Sequence, residues 1–152
     1  MQKVCLPSDK TSPISLIEKG IYLGAAAHAV YESEEFLEHK FDLIINCCAE
    51  LCYQSKSNIH IVKFRSLEGD AISFMETMDD IADLLDEQYD NGQKVYIHCD
   101  KGLSRSPSFI IYWLMRKKII HYFDAYDIVQ KARPNIAIDQ DFIDVMMSIC
   151  DL

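Results

Sequence analysis

The residues best suited to chemistry are contiguous: His98-Cys99-Asp100-Lys101-Gly102-Leu103-Ser104-Arg105-Ser106, a thiol and a guanidinium with five residues between them. Arginine presents a planar fork of donors that can grip two oxygens of a phosphate, and it keeps its charge at any relevant pH. Positive surroundings of that kind also favour thiolate over thiol, and the thiolate is the nucleophilic form. In-line attack of the Cys99 sulfur on phosphorus would give a cysteinyl-phosphate, with Arg105 and backbone amides stabilising charge on the equatorial oxygens. Ser106 could donate a hydrogen bond to the sulfur and help it leave in the second step.

Such chemistry needs a loop held between two elements, and the flanking residues supply them. Lys94-Val95-Tyr96-Ile97-His98 is short, β-branched and aromatic and follows the turn signal Asp90-Asn91-Gly92, so it predicts a buried strand with Cys99 at its carboxyl end. Pro107 suits the first turn of a helix, and Phe109, Ile110, Ile111, Trp113, Leu114 and Met115 predict a largely buried one. A strand, a tight loop and a helix amino terminus in that order aim successive N–H groups and a helix dipole into one concavity. Asp100, Lys101, Gly102, Leu103, Ser104 and Arg105 are the expected phosphate cradle, with Gly102 letting the backbone curl.

His98, Cys99, Arg105 and Ser106 spell a His-Cys-x5-Arg-Ser signature, and in it the chain resembles the cysteine-dependent protein tyrosine phosphatase superfamily. Gly102-Leu103-Ser104-Arg105-Ser106-Pro107 is most similar to that superfamily's compact dual-specificity phosphatases. Gly20-Ile21-Tyr22-Leu23-Gly24 is similar to the family's early strand and turn, and Asp42-Leu43-Ile44-Ile45-Asn46 to its next strand. Arg133-Pro134, followed by Asp139 and Phe142, resembles the segment that packs behind the phosphate loop. The likeness runs from about Ile14 to Ile149. One departure is Asp139, where the family usually has an asparagine; an aspartate can cap the helix near Phe142 but cannot donate an amide hydrogen bond.

The resemblance also implies a general acid, an aspartate on a loop about thirty residues before the cysteine. That loop reads Ser66-Leu67-Glu68-Gly69-Asp70-Ala71. Counting from the strand Ile59-His60-Ile61-Val62-Lys63-Phe64 points to Glu68, whereas residue type and the neighbouring Gly69 point to Asp70. Asp70 is the first choice. The role needs a carboxyl that is protonated when it meets the leaving oxygen and ionised when it activates water, which either can be. Asp70 could instead be a helix N-cap ahead of Ile72, Met75, Met78, Ala82 and Leu85.

The remaining composition narrows the class. A chain of 152 residues with no glycine-, proline- or serine-rich divider reads as one domain, residues 1–152, with its core at about 14–149. A net charge of −9 argues against nonspecific nucleic-acid binding and against an anionic membrane. Much of that charge lies between Glu76 and Asp90, interleaved with Ile81, Leu84 and Leu85, as on an exposed helix face. The start lacks an apolar secretory core, and no apolar run reaches the ~20 residues of a membrane span, so the expected location is soluble and cytoplasmic or nuclear. Cys150-Asp151-Leu152 is one residue short of a prenylation box.

Six cysteines lack the paired spacing of a zinc site, and His28, His39, His60 and His121 are scattered, so no metal or cofactor is expected. Cys47, Cys48 and Cys52 read as small residues at a strand end, with one alternative: one of them traps oxidised Cys99 as a reversible disulfide. His98 is expected to orient the loop by hydrogen bonding, not to act as a base.

Strands near Ile21, Leu43, Ile59 and Val95 alternate with helical segments near Glu34, Met75, Phe109, Phe123 and Phe142. That pattern predicts an α/β fold, a central mostly parallel sheet of about four or five strands with helices on both faces. Tyr122, Phe123, Tyr126 and Val129 are expected to pack inward from a helix that stops at Arg133-Pro134. The expected function is a metal-independent phosphatase of phosphorylated protein substrates; dual specificity is what the resemblance implies. The alternatives are a phosphatase of phosphoinositides or RNA 5′-phosphates, disfavoured by the loop's lack of extra basic charge, and a phosphopeptide-binding scaffold without turnover.

Overall fold

The computed structural model describes residues 12–150. Five strands, β1 (Ser15–Glu18), β2 (Ile21–Gly24), β3 (Leu43–Cys48), β4 (His60–Ser66) and β5 (Val95–His98), form one sheet in the order β1-β2-β5-β3-β4. Only β1 runs antiparallel to its neighbour. Every residue of β3 and of β5 is buried, as expected of parallel strands covered on both faces.

Six helices cover the sheet: α1 (Ala26–Val30), α2 (Glu34–His39), α3 (Ala71–Asp90), α4 (Arg105–Lys118), α5 (Tyr122–Ala132) and α6 (Gln140–Cys150). The larger core, on one face, joins Ile21, Leu23, Ile45 and Ile97 to Phe74, Ile81, Phe109, Trp113 and Phe142. Each such side chain contributes about 1.5–3 kcal/mol of burial. The smaller core, on the other face, stacks Phe36 and Phe41 on Ile44 and Tyr96.

Register makes the site possible. Gly24 pairs with His98 on one side of β5 and Asn46 pairs with His98 on the other, so β2 and β5 end level and β3 runs two residues beyond them. Cys48 pairs with Ser66, which brings the end of β4 to the same edge. The segments that leave these ends are thereby gathered around Cys99.

The structure differs from the sequence reading in several places. The antiparallel β1 and the single-turn α1 are too short to carry a periodic signal. The fourth strand extends to Ser66, beyond the expected Phe64. On α3 the apolar stripe is Phe74, Ile81, Ala82 and Leu85, while Ile72 and Met75 are 65 % and 46 % exposed. Tyr122 is buried at the start of α5 but Phe123 points to solvent, because adjacent helical residues cannot share a face.

Candidate active site

Cys99 follows the last residue of β5, and the loop to α4 curls around a cavity of about 310 Å³ lined by Glu68, Cys99, Asp100, Lys101, Leu103, Ser104, Arg105 and Ala137. The carbonyls of this loop all face outward. That of Cys99 meets His98 Nδ1 at 2.7 Å, and that of Asp100 accepts from the Ala26 amide at 2.8 Å. Arg133 donates through Nη2 to the Lys101 carbonyl (3.0 Å) and through Nε to that of Gly102 (2.8 Å). The Ala137 amide holds the Leu103 carbonyl at 2.8 Å, and Ser108 holds that of Ser104 through both its amide and its hydroxyl. By contrast, the amides of Lys101, Gly102, Leu103 and Ser104 have no protein acceptor among the described residues. A loop with its carbonyls tied back and its amides unspent is a preformed anion site.

Gly102 lies where the loop passes close to the end of β2. Its φ is +71°, and a Cβ there would come within 2.5 Å of the Gly24 carbonyl oxygen and 3.1 Å of Arg133 Nη2. Only glycine fits that backbone and that approach.

Ser106 donates its hydroxyl to Cys99 Sγ at 3.2 Å. Arg105, almost wholly buried, starts α4 and reaches under the cavity, where Nη1 and Nη2 clasp the two oxygens of Glu50 at 2.6 and 3.0 Å. Nη1 also binds the Ser66 carbonyl at 3.0 Å, Nη2 makes a long 3.7 Å contact with Cys48 Sγ, and Nε has no protein acceptor among the described residues. Burial opposes the charge on Arg105, yet the clasp with Glu50 more than compensates and raises its pKa; the same hydrogen bonds hold the Glu50 carboxyl down at about 2. The guanidinium is therefore fixed in charge and in plane before any ligand arrives.

His98 is fully buried. Its Nε2 lies 2.7 Å from the Tyr53 hydroxyl while Nδ1 holds the Cys99 carbonyl, and burial pushes its pKa down to about 4. A neutral imidazole spent on both nitrogens is a strut. Burial pushes the Cys47 thiol well up, with the neighbouring Cys99 adding to it, and burial together with a hydrogen bond to Glu50 pushes Cys48 up to about 12. Cys52 is exposed, 2.9 Å from Lys63 Nζ. The described cysteines are all free thiols.

The two carboxyls considered for proton transfer are separated by the fold. Glu68 lies on the cavity wall. Asp70 is the N-cap of α3, its Oδ1 accepting from the amides of Ile72 (3.0 Å) and Ser73 (3.5 Å). Asp139 caps α6 through the Asp141 amide (2.9 Å), and its own amide donates to Ser104 Oγ at 3.0 Å, which ties this segment to the loop through the backbone.

The sequence over residues 21–151 matches the family model described as the dual specificity phosphatase, catalytic domain. The chain belongs to that family. It is 28 % identical to the provisionally named tyrosine phosphatase 123R of Invertebrate iridescent virus 6, covering 86 % of this chain and 87 % of that one. Against human dual specificity protein phosphatase 5 it is 24 % identical over 85 % of its own length, and spans 33 % of that larger protein. Among solved structures, the human tyrosine phosphatase-like serine/threonine/tyrosine-interacting protein superposes with a TM-score of 0.78, covering 91 % of this chain and 95 % of that one at 19 % identity. That likeness speaks to the fold.

The chain is a phosphatase hydrolase, and the structure brings to its motif loop residues that the motif does not contain. Glu50 and Tyr53 come from the turn and the segment that follow β3, and Arg133 from the end of α5. Glu50 and Tyr53 had no signal beyond lying after a predicted central strand, whereas Arg133 was visible only as part of the segment resembling the family's. Among the described residues no helix is long and apolar enough to cross a membrane, and no three metal-ligating side chains cluster.

Proposed function

We propose that the chain hydrolyses phosphomonoesters on protein side chains through a cysteinyl-phosphate at Cys99. The observation that carries this reading is the loop from Cys99 to Ser104, its carbonyls tied back and the amides of residues 101–104 without a protein acceptor, beside a cavity that Cys99 and Arg105 line. The phosphate sits against those amides, and Arg105 grips it through Nε and through Nη2, which gives up only the 3.7 Å contact to Cys48. The sulfur attacks phosphorus as the ester oxygen leaves; water then displaces the sulfur, and the Ser106 hydroxyl receives the departing thiolate. We assign the proton donor to the leaving oxygen, and the base for water, to Glu68, because it lines the cavity while Asp70 caps α3 through Oδ1 and is not among the lining residues. The substrates are phosphorylated proteins, with tyrosine and serine or threonine esters both admitted.

Phosphate release from matched phosphotyrosine and phosphothreonine peptides, with chelator present, tests this. Turnover by the native chain, its loss in Cys99→Ser and a phosphorylated Cys99 peptide after acid quench support it. Tight phosphopeptide binding without turnover makes the chain a binding scaffold, and faster release from phosphoinositides or RNA 5′-phosphates moves it to another substrate class.

A further inference from the structure

Seven large apolar side chains are exposed among the described residues, and three of them, Leu67 (41 %), Ile72 (65 %) and Met75 (46 %), fall in the short stretch of chain that carries Glu68 and opens α3. Leu67 precedes the residue on the cavity wall, and Ile72 and Met75 lie on the first two turns of the helix that Asp70 caps. Gly69 brings this loop beside Asp139, two residues from Ala137 on the same cavity rim. The core does not use these side chains, since α3 buries Phe74, Ile81, Ala82 and Leu85 instead. An apolar cluster left in water beside a reaction pocket marks a contact surface.

The charges next to it say what kind. Ile72, Met75, Glu76 and Asp79 share one helix face by their spacing. Asp79 is taken up by Tyr112 and Arg116, and Asp83 by Arg116. Glu76 and Asp80 are exposed and have neither hydrogen bond nor ion pair from a described side chain. An apolar shelf bordered by unpaired carboxylates repels an anionic bilayer and suits a peptide with an apolar and then a cationic side chain.

We propose that Leu67, Ile72 and Met75 form a substrate shelf at the mouth of the phosphate pocket. It seats an apolar side chain flanking the phosphorylated residue of a protein substrate, and Glu76 and Asp80 favour a basic residue beyond it. This rests on the phosphatase reading and narrows its substrate class.

The test uses phosphotyrosine peptides that differ only in carrying leucine or serine on either side of the phosphoresidue, with para-nitrophenyl phosphate as the small ester. The native chain should prefer the leucine peptide by about tenfold in kcat/KM, mainly through KM. The surface double variant Ile72→Ser, Met75→Ser should reduce that preference to within about twofold, relative to its own rate on para-nitrophenyl phosphate. Peptide binding to Cys99→Ser, read by fluorescence anisotropy, separates the two ideas. A leucine preference in binding without turnover by the native chain keeps the shelf and overturns the phosphatase reading. Hydrolysis of para-nitrophenyl phosphate with no leucine preference, or a preference that survives the double variant, overturns the shelf. So does sedimentation with phosphatidylcholine–phosphatidylserine vesicles that is lost in the double variant.

Discussion

Two loops face each other across one cavity, and they are held in opposite ways. The phosphate loop is tied by every carbonyl from Cys99 to Ser104, through partners on β5, α1, α4, Arg133 and the Ala137 segment. The loop from Leu67 to Asp70 is tied only at its two ends, by the Leu67 amide to Ser73 Oγ at 3.0 Å, the Asp70 amide to the Leu67 carbonyl at 3.3 Å, the Ser73 hydroxyl and Phe74 amide to the Asp70 carbonyl, and the cap of α3. Glu68 and Gly69 between them have no hydrogen bond among the described residues. Stabilising charge in a transition state needs dipoles that do not move, because reorganisation would consume the benefit. Delivering a proton needs a side chain that can follow the leaving oxygen. One half of the site is built from preset backbone and the other from an exposed carboxyl.

Gly102→Ala strikes hardest at the rigid half. A Cβ 2.5 Å from the Gly24 carbonyl oxygen, on a residue with φ of +71°, must displace the loop or the end of β2. Moving several amides together should lower kcat/KM by about a thousandfold or more, with the far-ultraviolet circular dichroism retained. Near-native turnover would mean that the loop's shape is not preset.

Acid should weaken the same half through His98. The folded chain holds this imidazole neutral down to about pH 4, whereas in the unfolded chain it takes a proton near 6.5. Between those values the unfolded state binds more protons, so stability is complete above pH 6.5 and is lost as pH falls toward 4, by about 3 kcal/mol. Urea midpoints at pH 7, 5.5 and 4.5 should fall for the native chain more steeply than for His98→Gln. Parallel slopes would show that Tyr53 and the Cys99 carbonyl do not hold a neutral ring.

That contrast also explains what could be read from the sequence. Cys99, Gly102, Arg105, Ser106 and the strand and helix around them are contiguous, so local pattern alone placed them. Glu50 acts on Arg105 from 55 residues away, and Arg133 on Gly102 from 31; contacts of that span depend on sheet order, which no local pattern carries. Ile72 and Met75 fit an apolar period and were read as part of the stripe, but the period has a phase, and Phe74 set it. The choice between Glu68 and Asp70 turned on residue type and strand counting; that Asp70 caps α3 while Glu68 lines the cavity depends on where the helix starts, which no local pattern carries.

Glu68→Gln sharpens the mobile half. The variant should lose about a hundredfold in kcat on a phosphotyrosine peptide, whose phenol leaves poorly without a proton, and much less on para-nitrophenyl phosphate, whose phenolate leaves unaided. Equal losses on both esters would assign Glu68 to binding instead of proton transfer.

Asp70 gives the smallest effect and the cleanest division of labour. Asparagine caps a helix about as well as aspartate but cannot donate a carboxyl proton, while alanine can do neither. If Asp70 serves only α3, Asp70→Asn should keep both stability and kcat. Asp70→Ala should lose about 1 kcal/mol of unfolding free energy with kcat within about threefold of native on both esters. A large fall in kcat for Asp70→Asn at unchanged stability would return the acid to Asp70. It would also mean that the cap breaks during turnover, so that the exposed loop moves farther than its hydrogen bonds now allow.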